Sequence, residues 1–312
     1  MTFERIRHRL QNGRPLVVDS DTGASFRSRG VELDSPGALG SLLRERPTEI
    51  LDHYRAEVRS NVDVLSALTA DTTPRALAEV GMQHRAAQLT GRAVELALEA
   101  ATESARPVAV AGVLGSDMVS PVAADRMHEE LVEHASRLAV AGCELILARG
   151  QGSRLGLMAA VAAAASTELP TWAVLEYASH EELTTSGNAV ALVEALAEAG
   201  AGVVLFEVTL VDLGLAYLER FREAFELHGI IPGVLLAAGE TSVRGFNDES
   251  SDPERWVERA VDLSAGGARV IGGGAGTTEA HTQSLAKALG SLHPSIPVRR
   301  SDTELDRGPS GW

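Results

Sequence analysis

A chain of 312 residues with 45% hydrophobic but only 4% aromatic side chains must build its core from Ala, Val and Leu, and its length suits one large domain. Its formal charge of −15, with no basic stripe, argues against nucleic acid as a partner, and its single cysteine, Cys143, excludes an intrachain disulfide and fits a reducing cytoplasm. The charged start MTFERIRHRL is no secretory signal, and no run is apolar enough to span a membrane.

Along the chain, short β-branched runs recur at Leu16–Asp19, Val62–Leu65, Val108–Gly112, Glu144–Ala148, Thr171–Leu175, Gly202–Phe206, Gly233–Leu236 and Ala268–Gly272. Amphipathic stretches of helical period separate most of them, as at Arg75–Ala101, Val122–Ala139, Asn188–Ala199, Leu213–Leu227 and Pro253–Ser264. Strand–helix alternation demands crossover connections and a parallel sheet. Eight such units predict an α/β fold, a single-domain (β/α)8 TIM barrel over 1–292, with an open doubly wound sheet as the alternative. Ala-Gly or Gly-Gly pairs at 141–142, 199–200 and 266–267 precede strands, where glycine suits a left-handed helix end. The polar stretch 293–312 reads as a flexible C-terminal tail.

In such a barrel the site lies at the C-terminal ends of the strands. There the sequence delivers Asp19 and Asp21 from VVDSDTG, Thr69 and Asp71 from LTADTT, Asp117 from GVLGSD, and Arg149 from ILARG. Glu176 and Tyr177 follow the fifth strand, Glu207 ends the sixth, and Glu240 follows the seventh. A ring of carboxylates repels itself unless a cation sits among them, and Arg149 is the internal candidate. Arg149 either closes a salt bridge across the mouth or orients a ligand carboxylate or phosphate through its planar fork. The GGGAGTT segment, with Gly273, Gly274 and Thr277, is a glycine-rich turn into a helix; it either packs tightly or offers backbone N–H groups to an anion. Asp19, Glu207 and Glu240 are the candidate general bases; Asp21, Thr69, Asp117, Arg149, Glu176, Gly273, Gly274 and Thr277 are the candidate substrate contacts. No CxxC, HxxxH or HExxH spacing occurs, so no metal ligands are assigned.

Several of these segments are familiar together. VVDSDTGASFRSRG, SNVDVLSALT, VAVAGVLG, AGCELILAR and GGARVIGGGAGTTEAH resemble, in order and spacing, the corresponding segments of the homocysteine S-methyltransferase family from about residue 14 to residue 290. The resemblance implies a (β/α)8 barrel and methyl transfer to a thiol activated by zinc, held through three cysteines. At the matching positions this chain has Val208, Gly274 and Ala275, and Cys143 precedes the fourth strand, at the other end of the barrel. Zinc is therefore not expected, nor any other cofactor. The family's strand-4 glutamate is matched by Arg149, a reversal that would favour an anion over an ammonium group.

The expected function is that of a divergent, zinc-independent, methyltransferase-like enzyme acting on a small molecule with a changed acceptor or donor. A non-catalytic partner subunit and a barrel enzyme for an anionic ligand stay open as alternatives. The expected location is the cytoplasm, with no membrane or nucleic-acid partner, and a homo-oligomer is left open.

Overall fold

Eight parallel strands follow one another round a closed barrel: β1 (Leu16–Val18), β2 (Val64–Ala67), β3 (Ala109–Leu114), β4 (Leu145–Arg149), β5 (Thr171–Leu175), β6 (Ala201–Val208), β7 (Ile231–Leu236) and β8 (Val270–Gly273). The barrel closes where Leu16, Val17 and Val18 pair with Val270, Ile271 and Gly272. The structure, a computed structural model, describes residues 2–33, 35–115, 124–150, 153–176, 188–238 and 252–292. The expected barrel is therefore the observed one, and the expected tail at 293–312 lies outside the described residues.

Period-2 alternation sorts the strand side chains into two cores. Leu16, Val18, Val64, Leu145, Leu147, Trp172 and Leu205 fill the barrel interior. Their neighbours, such as Val17, Leu65, Ile146 and Val204, face the surrounding helices. Among the described residues those helices are α1 (Thr2–Gln11), α2 (Thr22–Ser28), α3 (Ala38–Glu45), α4 (Pro47–Arg59), α5 (Pro74–Ala78), α6 (Ala86–Thr102) and α7 (Ala124–Ala141), followed by α8 (Arg154–Ala165), α9 (Asn188–Glu198), α10 (Val211–Arg220), α11 (Arg222–His228), α12 (Pro253–Ala265) and α13 (Glu279–Leu292). Small side chains let them lie close to the sheet, as Ala160, Ala163 and Ala164 of α8 do, each fully buried.

Three departures from the sequence reading have physical causes. The N-terminal segment is helix α1, whose Phe3, Ile6 and Leu10 share one face and pack into the interior core from below. Arg9 pairs with buried Asp63, and Phe3 N–H donates to Glu144, so the helix seals the barrel floor. The helix expected over Arg75–Ala101 is interrupted: Gly81 has φ +70°, a 3-10 turn follows at Gln83–Arg85, and α6 begins at Ala86. The helix expected over Leu213–Leu227 divides at Phe221, whose ring stacks on Phe206 at 5.4 Å. Gly142, Gly200 and Gly267 take φ of +101°, +104° and +107°, which fits their place between helix and strand. Among the described residues no helix is long and apolar enough to cross a membrane.

Candidate active site

A cavity of about 370 Å³ opens at the C-terminal ends of the strands. Asp19, Asp21, Ser66, Asp71, Arg149 and Glu207 all line it. Of the candidate contacts, Thr69, Gly273 and Gly274 line it too, whereas Asp117 and Glu240 lie outside the described residues.

Asp19 follows β1 and is 3% exposed. Both its oxygens are held from β2: Oδ2 accepts the Ser66 N–H at 2.6 Å and Oδ1 accepts the Ser66 hydroxyl at 2.7 Å. Burial pushes this carboxyl up from 3.8 to about 7, the two bonds from Ser66 pulling the other way. Ser66 escaped the sequence reading, although the signal was present: it stands two residues after Val64, an interior residue, and so shares its face.

Across the mouth, Arg149 ends β4 with its guanidinium divided between two acids. Nε donates to Glu176 Oε1 at 2.9 Å and Nη2 to Glu207 Oε2 at 2.8 Å. Both glutamates are nearly buried, with side chains 7% and 8% exposed. One guanidinium thus bridges two carboxylates from neighbouring strands. Of the two roles the sequence left open for Arg149, the salt bridge across the mouth is the one this geometry shows.

The glycine-rich turn after β8 is likewise committed internally. Gly273 N–H donates to Asp19 O at 3.3 Å, Gly274 N–H to Leu236 O at 2.9 Å, and Thr277 N–H to Gly274 O at 3.2 Å. Gly276 N–H donates to Asp21 Oδ2 at 3.2 Å, and Thr278 N–H to His281 Nδ1 at 3.1 Å. Asp21 is in turn held by Arg27, and its own N–H donates to Thr277 Oγ1 at 3.1 Å. A Cβ on Gly273 would stand 2.1 Å from Thr277 Oγ1, so the glycine is required by packing. Thr69 is also structural. Its hydroxyl donates to Val113 O at 2.9 Å and accepts from Val113 N–H at 2.8 Å, tying the loop after β2 to β3.

With this geometry in view, comparison with known proteins decides the lineage. The family model for homocysteine S-methyltransferase matches residues 16–289. The chain belongs to the homocysteine S-methyltransferase family. The homocysteine methyltransferase MmuM from Escherichia coli, solved in a metallated form, superposes with a TM-score of 0.71 at 18% identity, covering 91% of this chain and 99% of that one. Its oxidized form gives 0.71 at 19% identity, over 88% and 96%. The 3-dehydroquinate dehydratase of Geobacillus kaustophilus shares the fold at a TM-score of 0.53 and 12% identity, over 90% and 93%. No curated protein sequence matches the chain.

Family membership overturns the expectation that zinc, and any other cofactor, can be set aside: a solved homocysteine methyltransferase is metallated, and missing cysteines are no ground for discarding a metal. The residues at the three expected cysteine positions do not fit a thiolate cage. Val208 ends β6, while Gly274 and Ala275 follow β8; none carries a donor side chain. Among the described residues no group of three or more His, Cys, Asp or Glu side chains could hold a metal ion. The family's metal thus becomes a quantity to measure, and no step below passes through it.

Proposed function

We propose that this member of the family transfers a methyl group from a cationic small-molecule donor, a sulfonium or quaternary ammonium, to a small-molecule acceptor, with Asp19 receiving the proton the acceptor loses. The observation that carries this reading is the buried Asp19 carboxyl, held in one orientation by Ser66 at the cavity wall and brought close to neutrality by desolvation. A general base works best with a proton affinity near the operating pH. Glu207 is the weaker candidate because Arg149 already engages it. The carboxylates of Asp21, Asp71 and Glu207 along the cavity wall favour a cationic donor.

The balance is simple. A nucleophilic atom X–H of the acceptor forms the X–CH3 bond, the donor's C–S⁺ or C–N⁺ bond breaks with its electron pair going to the leaving atom, and the proton passes to Asp19. The donor leaves neutral, so positive charge disappears from the cavity as the carboxylate is neutralised. The reading places the protein in the cytoplasm with small-molecule partners only.

The test is a thermal-shift and product screen of the full-length protein with sulfonium, betaine and folate donors, beside small anions and with metal content measured on the same sample. A stabilising cationic donor and a methylated product are expected, with turnover falling by about 10²–10⁴ in Asp19→Asn. Full turnover in Asp19→Asn, or stabilisation by anions alone, would overturn the proposal.

A further inference from the structure

Behind the cavity wall lies a polar cluster that the proposed reaction does not use. Glu57 and His53 stand one turn apart on the same face of α4, and both are wholly buried. Glu279 and Thr282 occupy α13, and Ser20, Ser25 and Arg29 come from the β1–α2 segment and the end of α2. The half of the cluster around Glu279 is satisfied. Its Oε1 meets His53 Nδ1 at 2.9 Å and pairs with Arg29, and its Oε2 accepts the Ser25 hydroxyl at 3.2 Å. Although burial opposes it, these bonds and charges hold the Glu279 carboxyl down at about 2.

The half around Glu57 is different. Its Oε1 accepts both the N–H of Ser20, at 3.3 Å, and the Ser20 hydroxyl. Its Oε2 makes no well-formed hydrogen bond, with the Thr282 hydroxyl the neutral group beside it, and His53 Nε2 makes none either. Among the described residues no arginine or lysine is bonded to the buried Glu57, and Asp19 stands immediately before Ser20 in the chain. A buried carboxylate without a cation is costly, and a second one joined to it through Ser20 makes it costlier.

We propose that Glu57, which does not line the cavity, is a positioning residue for Asp19: the two buried carboxyls, set on either side of the Ser20 backbone, hold one proton between them and titrate as a pair. This deepens the reading of Asp19 as proton acceptor and rests on it only for its use in turnover. The groups facing Glu57 agree with it. Asp19 on β1 raises its proton affinity, His53 on α4 lowers it, and Ser20 and Thr282 add only neutral hydroxyls. Tyr54 on α4 stays protonated, because burial and the Asp19 charge drive its phenol up; its oxygen accepts the Leu68 N–H at 2.7 Å. Glu279 and Arg29 neutralise one another at the far side. The result is a base that stays ionised only while its neighbour keeps the shared proton. Removing the neighbour's charge makes Asp19 more acidic and a poorer proton acceptor.

The experiment follows side-chain carboxyl resonances of the full-length, 13C-labelled protein from pH 4 to pH 9, assigning Asp19 and Glu57 by their loss in Asp19→Asn and Glu57→Gln. The wild type should show two linked steps seen by both resonances. In Glu57→Gln the Asp19 midpoint should fall by about one unit or more, and in Asp19→Asn the Glu57 midpoint should fall by a like amount, because coupling is reciprocal. Independent single steps in the wild type, or midpoints unmoved by either substitution, would overturn the pairing. Should Glu57→Gln not fold, the Asp19→Asn arm decides alone. The readout needs no substrate, so it stands or falls separately from the methyl-transfer reading; a shifted midpoint in a protein with no turnover would leave the pair intact and remove its proposed use.

Discussion

The two ends of this barrel handle buried charge in opposite ways. At the floor, Asp63 is 1% exposed, yet it is fully engaged: Arg9 pairs with it, Arg106 lies 3.8 Å away, and its Oδ2 accepts the Val17 N–H at 3.0 Å. At the mouth, Asp19 is as deeply buried but among the described residues is held by neutral donors, both from Ser66, and Glu57 behind it is held by Ser20. Burial combined with a cation makes a carboxylate a fastener. Burial with neutral donors alone makes it a reactive group. The contrast is between single carboxylates, since the mouth also holds the cation-bridged Glu176 and Glu207; a (β/α)8 barrel is expected to carry its chemistry at that end.

The contrast is sharpened most by Arg149→Met. The mouth then keeps Glu176 and Glu207 without the cation that joins them, so stability should drop by about 3–5 kcal/mol and turnover should be lost. Denaturant melts together with activity measure both, and an unaffected melt would mean that the two acids find protons or solvent without the arginine. Next in size is Asp63→Ala at the floor, expected to cost about 3 kcal/mol while turnover per folded molecule stays at the wild-type level. A loss of turnover beyond the loss of folded protein would break the division between the ends.

The third test is the pH dependence of stability. The carboxyls of Asp19 and Glu57 sit at about 7 in the fold, against ordinary values of 3.8 and 4.5. Between those limits the folded protein holds protons that the unfolded chain has released, so this pair makes stability fall as pH rises toward 7. Glu279, held down at about 2, acts in the other direction: its contribution is present above its ordinary value of 4.5 and is lost as pH falls toward 2. Asp19→Asn combined with Glu57→Gln should flatten the neutral limb and leave the acid limb in place, as unfolding free energies measured from pH 3 to pH 8 would show.

The barrel was legible in the sequence because its strands are buried on both faces and read as short apolar runs at even spacing, bounded by glycines that the backbone needs. Thr171–Leu175 coincides with the observed strand, and the others shift by one or two residues at one or both ends. The mouth was only half legible. Chain position alone put Asp19, Arg149, Glu176 and Glu207 at the strand ends, since every strand of a parallel barrel points the same way. Partnership was not visible: that Arg149 would be shared by two glutamates depends on β4, β5 and β6 being neighbours in a closed sheet, and that the GGGAGTT amides would be used internally depends on where Asp21 and His281 fall in space. Glu57 was missed because it sits in a helix whose other charged positions are solvated, so its composition gave no sign of burial. The reading that no cofactor is involved failed for another reason: it inferred a loss of function from the loss of three residue types, and lineage overrules that inference.

The seam between the first strand and the last has a temporal consequence. Leu16–Val18 finds its partner only at 270–272, and the helix ahead of it is held in place in part by Arg269, which reaches the Leu10 carbonyl. A ribosome delivering this chain must therefore release nearly all of it before the opening strand can dock on its final neighbour, and until then that strand has an unpaired edge and its preceding helix has no complete floor to cover. Holding the nascent chain just short of residue 269 should leave it open to proteases at its start, whereas a chain extended past residue 273 should become resistant there in a single step.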